Sequence, residues 1–130
     1  MFACRSMSCA PRIIFVLALV VALASGCKKQ PVAVAPLPVE QVPTTIEKAF
    51  QQAAPEVRQD ATAALSALQN QNEPKAFFEL HDLAARPELT PEQREAAMRA
   101  WAAVYAKLRA AAEKGDKKAE DAVNEYRATK

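Results

Sequence analysis

Glycine is nearly missing from this chain: Gly26 and Gly115 are the only two in 130 residues. A loop that cradles phosphate with its backbone needs several glycines within a few positions, so nucleotide sites of that kind are excluded. Histidine occurs once, at His81, which excludes a histidine-rich metal centre. Aromatic residues make up 6% of the sequence, so a core must be filled largely by alanine and aliphatic side chains. Positions 1–26 contain no acidic residue. No stretch alternates polar and apolar residues with the period of two that marks a half-buried strand.

What is present first is an apolar segment, residues 13–24, with no charged or polar side chain and with Arg5 and Arg12 before it. As a helix these twelve residues span roughly 18 Å, against ~30 Å of bilayer hydrocarbon, which suits the core of a signal peptide rather than a transmembrane helix. The segment closes on Leu23-Ala24-Ser25-Gly26-Cys27. Small residues before a cysteine let the backbone enter a peptidase site, and the thiol supplies a nucleophile for acylation. In this order the parts resemble the signal and lipidation motif of bacterial lipoproteins. One position departs from it: the family favours leucine three residues before the cysteine, where this chain has Ala24, with Leu23 one place earlier. The resemblance implies that residues 1–26 are a signal peptide removed before Cys27, and that Cys27 carries lipid as the first mature residue. Lys28 is not the aspartate that the family's sorting rule associates with inner-membrane retention. The resemblance therefore implies the outer membrane, facing the periplasm.

Removing the leader changes the arithmetic. The 17 basic residues lose Arg5 and Arg12 and then equal the 15 acidic ones, so the mature side chains are neutral and no nucleic-acid partner is expected. Cys4 and Cys9 leave with the leader and Cys27 is acylated, so no thiol remains for a disulfide or a metal, and no cofactor is expected. Residues 27–43 follow as a lipidated cysteine and a linker, with Pro31, Pro36, Pro38 and Pro43. These prolines oppose both helix and sheet. The linker is expected as extended polyproline-like chain of roughly 50 Å, holding a domain away from the bilayer. Lys28 and Lys29 are placed to touch anionic head groups.

Residues 44–130 are expected to fold as an all-α domain, a small antiparallel bundle of four to five helices. Alanine abundance and glycine scarcity favour helix throughout. Thr44 and Glu47 form a capping-box pattern for a first helix. Pro55 suits the first position of a second. Asn72-Glu73-Pro74 opens a third, which Arg86-Pro87 ends, and Thr90-Pro91-Glu92-Gln93 opens a fourth. Gly115 ends that helix and Asp116 caps a fifth. Met98, Trp101, Tyr105, Leu108 and Ala112 are separated by 3 or 4 and predict a buried seam on the fourth helix. Ala112-x-x-Gly115-Asp116-x-x-Ala119 resembles the turn of short tetratricopeptide-like repeats, and Asn72 to Ala76 echoes Gly115 to Ala119 at an offset of 43.

No catalytic residue and no metal ligand set is assigned. Glu79 and Asp82 share a helix face, but a solvated face accounts for them. The chain ends Tyr126-Arg127-Ala128-Thr129-Lys130. A terminal lysine after Tyr-Arg resembles the wall-linked end of the Braun-type murein lipoproteins, which implies Lys130 as a possible attachment point to peptidoglycan. Ala128 and Thr129 are insertions relative to that pattern. The expectation is a membrane-anchored envelope lipoprotein whose non-enzymatic helical domain binds or scaffolds an envelope protein partner. Its alternatives are a wall tether through Lys130 and a short helical repeat module.

Overall fold

The computed structural model of the protein describes residues 35–130. A short 3-10 turn, Val39–Gln41, is followed by five helices: α1 (Val42–Phe50), α2 (Pro55–Gln69), α3 (Glu73–Ala85), α4 (Pro91–Glu113) and α5 (Lys117–Ala128). No strand occurs among the described residues. Links of three to five residues reverse the chain between successive helices. α1 packs on α2 and α4, and α3 packs on α2 and α4, so the first four helices close into a ring. α5 lies against α3 and α4 on the outside of that ring. No contact joins α1 to α3 or α2 to α4. An open stack of hairpins would bring each helix against the second one along.

Local chemistry sets most of the boundaries. Pro55 takes the first turn of α2, and Ala54 before it is extended, at ψ 150°. The Lys75 amide donates to Asn72 Oδ1 at 3.2 Å and opens α3. At α4 the capping box is complete: the Gln93 amide donates to Thr90 Oγ1 at 3.2 Å, and the Thr90 amide to Gln93 Oε1 at 3.1 Å. Arg86, extended at ψ 131°, ends α3 before Pro87. The Arg94 guanidinium donates to the carbonyls of Ala84 (3.0 Å) and Arg86 (2.9 Å), which the end of α3 leaves without helical partners.

The start of α1 differs from the expectation. Thr44 caps nothing: the helix begins two residues earlier at Val42, Pro43 occupies its first turn, and no side chain accepts from its first amides. The preceding turn takes over that task, with the Val42 amide donating to Val39 O. Proline, having no N–H, removes one donor that would need a partner. The expected tether is also shorter than residues 27–43. Leu37 is 8% exposed and Val42 fully buried, both within the main core, and Arg99 Nε donates to Ala35 O at 3.1 Å. Proline opposes helix and ladder, but nothing in it stops an extended segment from laying an apolar side chain into a groove.

The core is continuous through the ring. Ile46 and Phe50 come from α1, Val57, Ala61 and Ala64 from α2, Phe77, Leu80 and Leu83 from α3, and Ala97, Ala100, Val104 and Leu108 from α4. The expected seam of α4 is displaced. Met98 is 40% exposed, and Trp101 and Tyr105 are half-buried, while the buried stripe runs Ala96, Ala97, Ala100, Ala103, Val104 and Leu108. α4 touches α1, α3 and α5 at once, so its buried face is wider than a single seam and its centre is alanine. Small side chains there let three helices approach one axis, and the large ones are pushed to the margin facing α5.

Candidate functional site

The lipidation residues Leu23, Ala24, Ser25, Gly26 and Cys27 lie outside the described residues. Lys130 is exposed, with Nζ 5.1 Å from the centre of the Tyr126 ring, a cation over an aromatic face. Glu79 is half-buried on α3 and Asp82 is exposed. The two do not act as a pair. Asp82 instead reaches its neighbour His81, with Oδ1 3.2 Å from Nδ1. Among the described residues no group of three His, Cys, Asp or Glu side chains is placed to hold a metal ion.

Two arrangements emerge that the sequence pattern alone does not single out. The first is an aromatic cluster at the junction of α3, α4 and α5. Phe77 is its buried centre, with ring centroids 5.8 Å from Trp101, 5.4 Å from Tyr105 and 5.2 Å from Tyr126. Trp101 and Tyr105 lie almost parallel, 5.7 Å apart at 2°. Tyr126 meets the rest edge-on, and His81 joins the margin 5.6 Å from Tyr126 and 6.0 Å from Trp101. This cluster fastens α5 to the ring, since Tyr126 is the aromatic residue α5 contributes. The indole N–H of Trp101 is buried without a hydrogen-bonding partner. The expected burial of Trp101 in the seam of α4 holds only in part: it packs on α3 through Phe77 and keeps some solvent exposure.

The second arrangement joins the two turns whose sequences echo each other. Asn72 N–H donates to Ala67 O (2.9 Å), and Asp116 N–H to Ala111 O (3.1 Å). Asn72 Oδ1 accepts from the Lys75 amide, and Asp116 Oδ1 from the Ala119 amide. Gln71 and Gly115, one place before each cap, both have positive φ, at 53° and 90°. The two turns are thus the same device, a left-handed helix end followed at once by a side-chain cap. Asp116 is equivalent to Asn72, which makes the structural offset 44 rather than 43, because the cap residues and not the alanines correspond.

The ends of both hairpins flank a groove of about 850 Å³ between the α2–α3 turn, α4 and α5. Phe78, Leu108, Ala111 and Ala122 contribute apolar side chains to it, and Asn70, Gln71 and Asn72 polar ones. The rim carries Glu73, Lys107, Asp116, Lys118 and Glu125. Lys107 Nζ reaches Glu73 Oε1 at 2.6 Å across from α4 to α3. Partial burial would raise the Glu73 carboxyl, but the Lys107 hydrogen bond, its own backbone amide and the Lys107 charge together hold it below the ordinary carboxylate range. With Glu73 and Lys107 satisfying each other, Asp116, Lys118 and Glu125 are the exposed charges that remain on the rim. The groove is thus an open, mainly polar concavity with apolar side chains among charges of both signs. A second ionic cluster, with Arg86 between Asp60 and Glu88, binds the α3–α4 link to α2 and has a structural role. The bond to Glu88, followed by that to Asp60, raises the Arg86 guanidinium further above its already high range. Compared with known proteins, the chain matches no family model, no curated protein and no solved structure.

Proposed function

We propose that this chain is a lipid-anchored cell-envelope protein whose helical bundle acts by binding a partner protein, without catalysis of its own. The observation that carries the anchor is the run Leu23-Ala24-Ser25-Gly26-Cys27 closing a short apolar segment behind two arginines. Acyl chains at ~0.8 kcal/mol per buried methylene make such an anchor effectively permanent when more than one is attached. Lys28 after the cysteine favours the outer membrane's periplasmic leaflet. The groove at the paired turns supports the binding part of the reading, because it is an open concavity where apolar side chains lie among charges of both signs, a mixed surface that a short peptide segment of an envelope protein can match.

Two measurements test the reading. Intact mass should show a chain beginning at Cys27 with acyl chains attached, and Cys27→Ser should release the protein from membranes. A variant retained to the same extent would overturn the anchor. For the groove, a photoreactive amino acid at Lys118 should crosslink a specific envelope protein in intact cells, and one at the exposed Gln59 on α2 should not. Identical adducts from both positions, or none from Lys118, would overturn the binding surface. The exposed ε-amine of Lys130 keeps a wall tether in view as the second reading. It predicts a muropeptide on Lys130 in a wall digest.

A further inference from the structure

The turn between α4 and α5 joins two helices whose apolar positions are in phase. Trp101, Tyr105, Leu108 and Ala112 on α4 follow one another at intervals of 4, 3 and 4. The same alternation continues through Gly115 in the turn to Ala119, Ala122 and Tyr126 on α5. None of these helical residues is exposed. A hairpin has no need of that continuity, because a turn resets the phase of the helix after it. One straight helix through Gly115 would present all these positions as a single seam, the pattern by which long helices pack along their length. The α2–α3 link is different: Pro74 would interrupt a helix carried through it. Hydrogen bonding in the α4–α5 turn permits the change. There the Gly115 amide donates to Ala112 O (2.9 Å) and the Asp116 amide to Ala111 O (3.1 Å). In a continuous helix the Gly115 amide takes Ala111 O and the Asp116 amide takes Ala112 O, so the two donors exchange acceptors and neither is left without one. Gly115, at φ 90°, favours the hairpin, since glycine takes left-handed torsions freely and weakens a helix interior.

Among the described residues α5 touches α3 and α4 alone, and the other four helices close on one another without it. Tyr126 packs against both Trp101 and Tyr105, and it lies as far beyond the turn as their midpoint lies before it. Two straight helices crossing antiparallel at Gly115 therefore make the same pairs between copies that the hairpin makes within one. We propose that two copies of this chain exchange α5. α4 and α5 straighten into one helix of about 57 Å, and each α5 packs on the α3 and α4 of the other copy. The proposal stands apart from the lipid anchor and from what the groove binds. Every contact of α5 is kept in the exchange, so the turn favours the single chain and rising concentration favours the pair. In the exchanged dimer Lys118 and Glu125 come to the groove from one copy, and Phe78 and Lys107 from the other. Each groove is then shared between two chains.

The test uses the full chain in detergent solution over a range of concentrations, with nitroxide amino acids in place of Arg109 and Asn124. Both positions border one hollow between α4 and α5. Chain labelled at both sites is diluted into unlabelled chain, so that only distances within a chain are read. The hairpin holds the labels within about 15 Å, and the straight helix sets them about 22 Å apart. The long distance should grow with total concentration, together with a dimer in sedimentation. Gly115→Ala meets no clash and should raise the association constant at least tenfold, because alanine is poor in the left-handed turn and good in a helix. Two glycines inserted after Gly115 should lower it by a similar factor, since they break the phase of the seam and ease the hairpin. The short distance alone at every concentration in the parent would overturn the proposal, as would a dimer that keeps the short distance. Either variant associating as the parent does would overturn it too.

Discussion

At the scale of single residues, the paired turns give opposite expectations for two neighbouring chemistries. Gly115 sits at φ 90° with open space where a Cβ would be, so Gly115→Ala meets no clash and suffers only the backbone penalty, about 1 kcal/mol. Gln71 occupies the equivalent place at φ 53°. Gln71→Gly should relieve a similar strain but add freedom to the unfolded chain, for a net gain near 0.5 kcal/mol. Chemical denaturation of both variants checks the pair, and a loss from Gln71→Gly would show that its side chain contributes more than its backbone costs. Trp101 calls for a pair as well. Trp101→Ala should cost about 3 kcal/mol, near the low end for a core aromatic because the ring is only partly covered. Trp101→Phe should cost less than about 1 kcal/mol, since it keeps the stack on Phe77 and removes the buried N–H that has no partner. For Glu73 the sign is fixed by the direction of its shift. The carboxyl is held below its ordinary value of 4.5, so its contribution is fully present above that pH and is lost as pH falls through the lowered value. Lys107 is half exposed, so solvent screens the pair and the amount is about 1 kcal/mol at most. Lys107→Met should flatten this part of the stability profile below pH 4.5, measured by thermal melting across the acid range.

At the scale of elements, the segment Ala35–Gln41 and α1 depend on each other. α1 is nine residues long, too short to persist alone in water, and its start is organised by the turn Val39–Gln41 rather than by a capping side chain. Leu37→Ala should therefore cost about 2 kcal/mol and loosen α1 along with the segment before it, read as lower protection of α1 amides. A chain beginning at Thr44 should be less stable than one beginning at Ala35, and equal stability of the two would contradict the packing of Leu37 and Val42. Most helix boundaries were legible beforehand. Asn72, Thr90 and Asp116 act through bonds from amides three residues on, Pro55 through its fixed φ and Gly115 through its positive φ, all of them local devices. Thr44 misled because a capping box and an interior threonine look alike in sequence. The choice between them was made by the burial of Val42 and Leu37, which local spacing does not contain.

At the scale of the molecule, α5 is an addition to a closed ring and is held chiefly by Tyr126, Val123, Ala119 and the aromatic cluster. Tyr126→Ala should detach α5 while leaving the ring folded, seen as a red shift of Trp101 emission below the main melting transition. A single transition with an unshifted spectrum would show that α5 and the ring unfold as one unit. Sequence alone determined the all-helical character, a count of four to five helices and the ends of most of them, because propensity, proline and capping act within one or two turns. It also contained the groove's ingredients, as two echoing turns, but not their meeting. Only tertiary structure decided that α1 closes on α4, that the α4 face at the centre is alanine, and that Trp101 and Tyr105 stand at its margin. The physical reason is that a helix's buried face depends on how many neighbours it has and at what angles. An apolar stripe of given spacing serves one neighbour, whereas α4 has three, and the stripe that fills the space between them is the one that lets their backbones come closest.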